Sequence, residues 1–242
     1  MVLLENLKSH YREQFSDRRF LRSLAAGFGL LFLSLVANYF GALYAFKRAS
    51  NHVEDIILSN IPTFDVDAIF MWGPLVFWII LSAFLLYDPK KIPFTLKSVA
   101  LFVLIRSFFI SLTHIGPFPD HISLDAYNPT WLATYLETNP AFTFIFTSGA
   151  DLFFSGHTGI PFLMGLTFWK NRLIRIFCIL ASIFFGIIVL LGHLHYSIDV
   201  AAAFFITYTI SRIAAYIWRA DRERFADSYA QSARKETTPA VL

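Results

Sequence analysis

Cysteine is nearly absent. Cys178 is alone among 242 residues, which excludes a disulfide framework and a cluster of thiolate metal ligands. Charge is scarce too: 15% of residues are charged against 56% hydrophobic, with a mean hydropathy of +0.56, and this balance excludes an ordinary soluble domain. No internal repeat or low-complexity tract stands out. The first 22 residues alternate charge with phenylalanine and contain no apolar core, so they carry no cleavable signal pattern. They read as an amphipathic cytoplasmic approach to the membrane. Lysine and arginine are missing altogether from position 115 to position 169.

What is present is a series of long apolar runs. Leu24 to Phe46, Ala68 to Tyr87, Leu96 to Ile115, Asp151 to Trp169, Leu173 to Leu194 and Tyr196 to Trp218 each approach the roughly 20 residues that a helix needs to cross hydrocarbon. Basic residues gather before the first run (Lys8, Arg12, Arg18, Arg19, Arg22), between the second and third (Lys90, Lys91, Lys97), after the fourth (Lys170, Arg172, Arg175) and after the sixth (Arg219, Arg222, Arg224, Arg234, Lys235). The positive-inside rule makes all four places cytoplasmic. The expectation is an all-α integral membrane protein, a six-helix transmembrane bundle with both termini cytoplasmic. Residues 1–22 form a cytoplasmic segment, 23–218 the membrane domain, and 219–242 a disordered cytoplasmic tail. The net charge of +3 follows this topology and implies no nucleic-acid partner. No oligomer is predicted.

Two exoplasmic loops remain. The first, 51–67, holds Glu54, Asp55, Asp65 and Asp67. The second, "GPFPDHISLDAYNPTWLATYLETNPAFTFIFTSGA", carries Asp120, Asp125 and Glu137 with no basic residue. A loop this long is usually functional, and here it is expected to fold over the mouth of the bundle with a short helix near Trp131 to Glu137.

Polar residues inside spans are functional candidates by default. "DLFFSGHTG" puts Ser155, Gly156, His157 and Thr158 together near the start of the fourth span, and "HLHYSIDV" sets His195 and Asp199 four apart, on one helical face. An aspartate there can accept one imidazole N–H, fix the tautomer and leave the other nitrogen as base or nucleophile. By helix rise the two histidines differ in depth by roughly 10 Å, a gap for tilt or a kink at Pro161 to close. Two histidines and a carboxylate suit phosphoryl transfer, one imidazole attacking phosphorus and the other protonating the departing oxygen. Gly156 and the Ser155 and Thr158 hydroxyls, with amides at a helix start, suit a phosphate. Each piece also has a plainer reading: a buried histidine can pack helices, His195 with Asp199 can be a structural pair at a turn, and Arg106 can lock helices in a buried ion pair. Arg212, near the end of the sixth span, snorkels. His193 is expected to point away from the site, and His114 to sit at the interface.

"SGHTG" followed by "HYSID" resembles the two histidine motifs of the type 2 phosphatidic acid phosphatase superfamily, and more closely those of its sphingomyelin synthase branch. Asp151, six residues before His157, matches an aspartate of that branch, and "IRSFFISLTHIGPFP" resembles its arginine-bearing third-span motif with Arg106 in the arginine position. The resemblance covers roughly Ala100 to Phe205 and the six-span layout. It implies His195 as nucleophile, Asp199 as its orienter, His157 as acid and base, Asp151 in support, and no metal or cofactor.

The departures bear on the substrate. The phosphatase branch's lysine and Arg-Pro motif is absent, and its arginine six residues before the nucleophilic histidine is Val189 here. A phosphate monoester carries nearly two negative charges and calls for more cations than Arg106. Acidic residues around the mouth, with Tyr127, Trp131, Tyr135 and Glu137, suit an ammonium-bearing head group. The expected activity moves phosphocholine or phosphoethanolamine from a glycerophospholipid donor to a lipid alcohol such as ceramide or diacylglycerol; water as acceptor would make it a phospholipase C. A lipid phosphate phosphatase is the enzymatic alternative, and a lipid-binding or transport protein the non-enzymatic one. Either a bacterial inner membrane facing the periplasm or a Golgi or plasma membrane fits the layout.

Overall fold

The computed structural model describes residues 11, 12, 14–119 and 152–227. Among them there is no strand, and six α-helices form the fold: α1 Arg18–Arg48, α2 Asp67–Tyr87, α3 Ile92–Leu112, α4 Gly156–Thr167, α5 Arg172–Leu191 and α6 Ser197–Ile217. Five of these, all but α4, are long and apolar enough to cross a membrane. The fourth apolar run behaves differently. It makes a helix of 12 residues, about 18 Å at 1.5 Å per residue, which is too short to cross hydrocarbon alone. The cause is local: residues 152–155 are not helical, and Ser155 caps the helix at Gly156 by accepting from the Thr158 N–H at 3.4 Å. Leu152, Phe154 and Ser155 are buried, so the polar start of α4 is sunk within the protein.

α4 is the hub. It packs against α5, α6 and α3, while α1 lies along α3 and α2 along α5. Small residues permit the closest approaches. A Cβ on Gly159 would stand 2.6 Å from the Phe102 ring and 2.9 Å from Thr207 Oγ1, and one on Gly73 2.5 Å from the Phe185 ring. Phe102, Phe154, Leu163, Met164 and Phe168 fill the centre, and Phe205, Leu173 and Tyr216 face outward, as a lipid-facing surface requires.

The basic segments meet at one end. Phe225 touches Phe94 and Phe168 edge-on, Lys91 lies 5.9 Å from its ring centroid, and Arg224 reaches Asp17 at 3.3 Å. Lys97 is a buried network member rather than a loop charge: its Nζ donates to Asp221 Oδ2 at 2.6 Å and Ser23 Oγ at 2.8 Å, and Ser23 donates to Asp221 Oδ1 at 2.6 Å. Helical turns continue through residues 219–227 with Asp221 and Phe225 buried, so ordered structure extends past the expected boundary at 218. At the other end of α1 the helix likewise begins earlier than expected, at Arg18.

Removing one member of a buried ion pair strands the other charge. Lys97→Met is expected to cost roughly 3–5 kcal/mol, while Lys97→Met with Asp221→Leu recovers most of that loss. Thermal unfolding in detergent, comparing the single and double variants, checks it.

Candidate functional site

Asp199 organises the site. It is fully buried in the first turn of α6, where Oδ2 accepts from the Tyr196 backbone N–H at 3.1 Å and lies 3.2 Å from His195 Nδ1. The same carboxylate therefore caps the helix and holds the imidazole. With Nδ1 as donor to Asp199, the lone pair of His195 rests on Nε2. The Asp199 carbonyl also accepts from the Ser155 N–H at 3.1 Å, which fastens the entry to α4 against the first turn of α6. This contact sets the segment that carries His157 beside the first turn of α6, which follows His195. His157 stands in the first turn of α4, which starts at Gly156.

His157 is half-buried and stacks on Phe70 of α2, ring centroids 4.1 Å apart and planes 24° apart, with Phe185 of α5 edge-on at 6.3 Å. Arg106, the one buried arginine among the described residues, donates from Nε to the Phe154 carbonyl at 3.1 Å. Phe154 adopts φ 24°, outside the range a side chain prefers. The Arg106 guanidinium lies against Gly156, where a Cβ would be 3.4 Å from Nε and 3.8 Å from Cζ, an ordinary contact distance. The arginine therefore sits beside the start of α4. The first N–H groups of a helix lack intrahelical acceptors, so this start and the guanidinium together favour an anion.

The hydroxyls are placed otherwise than the sequence led one to expect. Ser155 is spent on capping, and Thr158 is fully buried with Oγ1 beside Gly186 of α5, 3.3 Å from where its Cβ would be. Asp151, Tyr127, Trp131, Tyr135 and Glu137, with Asp120, Asp125 and the helix expected near Trp131, lie outside the described residues. His193 turns away from His195: its Nδ1 is 3.1 Å from Thr63 Oγ1 and Phe118 meets its ring edge-on. His114 lies edge-on to Tyr44 at the end of α3.

Several residues of the site's surroundings escaped the sequence reading. Tyr196 donates its hydroxyl to the Gly116 carbonyl at 2.8 Å and accepts from the Val53 N–H at 3.3 Å, tying two loops to the start of α6. Asp55 receives the Ser197 N–H on Oδ2 at 2.7 Å and the Ile57 and Leu58 N–H groups on Oδ1 at 2.9 and 3.1 Å. Burial pushes the Asp55 carboxyl up, but the N–H groups of Ser197, Leu58 and Ile57 outweigh it, and the net effect is a carboxyl held below its ordinary value. Four acids share the first loop, and nothing in the sequence singles out Asp55. The Asp199 cap was detectable, because an acid at the third helical position is a known cap signature. No group of three or more histidine, cysteine or acidic residues suited to a metal occurs among the described residues.

Comparison with known proteins bears on this half of the chain. Residues 149–216 match the family model described as PAP2 superfamily C-terminal. The match supports the type 2 phosphatidic acid phosphatase superfamily, a class of lipid phosphatases and phosphotransferases, and it includes His157, His195 and Asp199. Neither the curated proteins nor the solved structures give a match.

Asp55→Asn removes one acceptor oxygen and sets an amide against backbone N–H groups. Because the folded carboxyl titrates below its ordinary value, its stabilisation is complete above about pH 4 and fades as the pH falls through that lower value. The variant is expected to melt lower than the native protein by about 1–3 kcal/mol of stability from pH 8 to pH 5. That gap should close on acidification below about pH 4, as read by melting curves across the range.

Proposed function

We propose that the chain is a membrane phosphotransferase that takes a phospho-alcohol head group from a glycerophospholipid, carries it on His195 and delivers it to a lipid alcohol such as ceramide or diacylglycerol. Delivery to water gives phospholipase C-type hydrolysis. His195 Nε2 attacks phosphorus, and the P–O bond to diacylglycerol breaks as a phosphohistidine forms. His157 protonates the departing oxygen, then accepts the proton of the incoming hydroxyl as that oxygen attacks the phosphohistidine. Asp199 holds the imidazole in the productive tautomer and stabilises its charge. Asp151 supports His157, and Tyr127, Trp131, Tyr135 and Glu137 hold the ammonium of the head group. Ser155 acts as the cap that exposes the first amides of α4, and Thr158 positions that helix against α5.

The observation that carries the reading is Arg106 against Gly156, beside the α4 start that Asp199 fastens. One guanidinium with helix-start amides balances the single charge of a phosphodiester, and a monoester would bring a second charge into a low-dielectric site. The positive-inside pattern supports a cytoplasmic basic end and, with it, a site in the exoplasmic half. The phosphatase alternative draws on the match to the PAP2 superfamily C-terminal model: in that reading the same histidines would hydrolyse phosphatidic acid or a related monoester.

Purified protein in mixed vesicles, given head-group-labelled phosphatidylcholine and phosphatidylethanolamine with and without ceramide, beside phosphatidic acid, separates the readings. Label entering a new lipid, or leaving as soluble phospho-alcohol, is the expected result. Phosphate from phosphatidic acid alone would establish the phosphatase instead. His195→Ala should lower turnover by about 10³-fold or more, and Asp199→Asn by a comparable factor through loss of the tautomer. Arg106→Ala should lower kcat/KM by about 10²–10³-fold, and full activity of that folded variant would sink the charge argument. Turnover abolished by His195→Ala disposes of the lipid-binding or transport reading, and turnover unchanged in that variant would remove His195 from the nucleophile role.

A further inference from the structure

The last span ends at Trp218, whose φ of −109° and ψ of 47° break the helix before turns resume over residues 219–227. A groove of about 360 Å³ lies across this break, lined by Arg212 and Tyr216 from α6 and by Arg219, Arg222 and Glu223 from beyond it. Arg212 and Tyr216 stand one turn apart on α6, and Arg219 and Glu223 one turn apart beyond the break. The groove faces outward: Arg212, Tyr216, Arg219, Arg222 and Glu223 are all exposed, Tyr216 by 86%.

The charges in the groove do not cancel. Arg219 Nε pairs with Glu223 Oε1 at 2.8 Å, which uses the groove's carboxylate and leaves Arg212 and Arg222 uncompensated. Among the described residues neither of those guanidiniums has a hydrogen-bond or ion-pair partner. Arg212 belongs to the apolar helix itself, where an unpaired guanidinium is costly at the edge of hydrocarbon. Snorkelling toward the head groups lowers that cost, and an anion at the same depth lowers it further.

We propose that this groove is a binding site for an anionic phospholipid of the leaflet at the basic end of the bundle, on the side opposite the candidate active site. Its phosphate would bridge Arg212 and Arg222, with the Tyr216 hydroxyl as a further donor. A zwitterionic lipid fits less well, because its ammonium would meet three arginines and a carboxylate already engaged. The inference stands on the groove alone and survives whichever reaction the histidines perform.

Native mass spectrometry of the full chain, released from detergent containing equal amounts of phosphatidylglycerol and phosphatidylcholine, tests it directly. The native protein should retain phosphatidylglycerol in preference. The pair Arg212→Gln and Arg222→Gln should weaken that retention on the order of fivefold for each arginine removed. Arg172→Gln, which removes an exposed arginine at the same end but outside the groove, should leave the preference in place. No preference in the native protein, or a preference that survives the pair, would overturn the site. So would a loss from Arg172→Gln as large as from the pair, since it would show mere bulk charge. Should the pair fail to fold by its melting curve, either single variant is read the same way, with the fivefold loss deciding.

Discussion

Everything at the polar end of this bundle depends on one buried carboxylate. An ionised aspartate withdrawn from water is tolerated only where hydrogen bonds replace its hydration. Asp199 finds them on one oxygen: Oδ2 accepts the Tyr196 N–H and faces the His195 ring, Oδ1 is buried without a hydrogen-bond partner among the described residues, and the backbone carbonyl receives the Ser155 N–H. The electrostatic need of a single residue thus sets where α6 starts, which way the imidazole faces and where α4 is anchored. Capping the helix and holding the imidazole do not compete here. The cap that satisfies the helix also holds the histidine.

The first half of the chain lies outside the residues that match the family model, yet it builds much of the site's walls. Phe70 stacks on His157 from α2, Arg106 comes from α3, and Asp55 with Val53 secures the first loop to the start of α6. The loop contacts all converge on Tyr196 and Ser197, the two residues between His195 and Ile198. A backbone clamped on both sides cannot let the neighbouring imidazole drift, and catalysis by proton transfer is sensitive to such drift.

The legible part of the sequence was what repeats along the chain or sits within one helical turn. Apolar runs located the helices to within a few residues, and the His195 and Asp199 spacing described a contact that the structure makes. What resisted reading was decided by capping and by distant partners. The apolar run from Asp151 to Trp169 says nothing of a helix that starts only at Gly156, because residues 152–155 are as apolar as a span and the choice rests on Ser155 taking the capping role. Thr158 was assigned to phosphate by proximity in sequence, although one residue of helical rotation turns its hydroxyl toward Gly186. Lys97 read as an orientation signal and proved to be half of a buried ion pair, since Asp221, 124 positions away, was counted in a tail.

The two ends of the bundle handle charge in opposite ways. At the basic end Lys97 meets Asp221 and Arg224 meets Asp17, pairs that neutralise each other within the protein. At the polar end Arg106, the one buried arginine among the described residues, donates from Nε to the Phe154 carbonyl, which holds its guanidinium beside the start of α4. In a low-dielectric interior a charge acts over a longer range than it would in water. A helix start held beside it adds its own partial positive charge. The two ends thus use their cations differently: at one, lysine and arginine pair with aspartates to join helices, and at the other an arginine and a helix start are brought side by side.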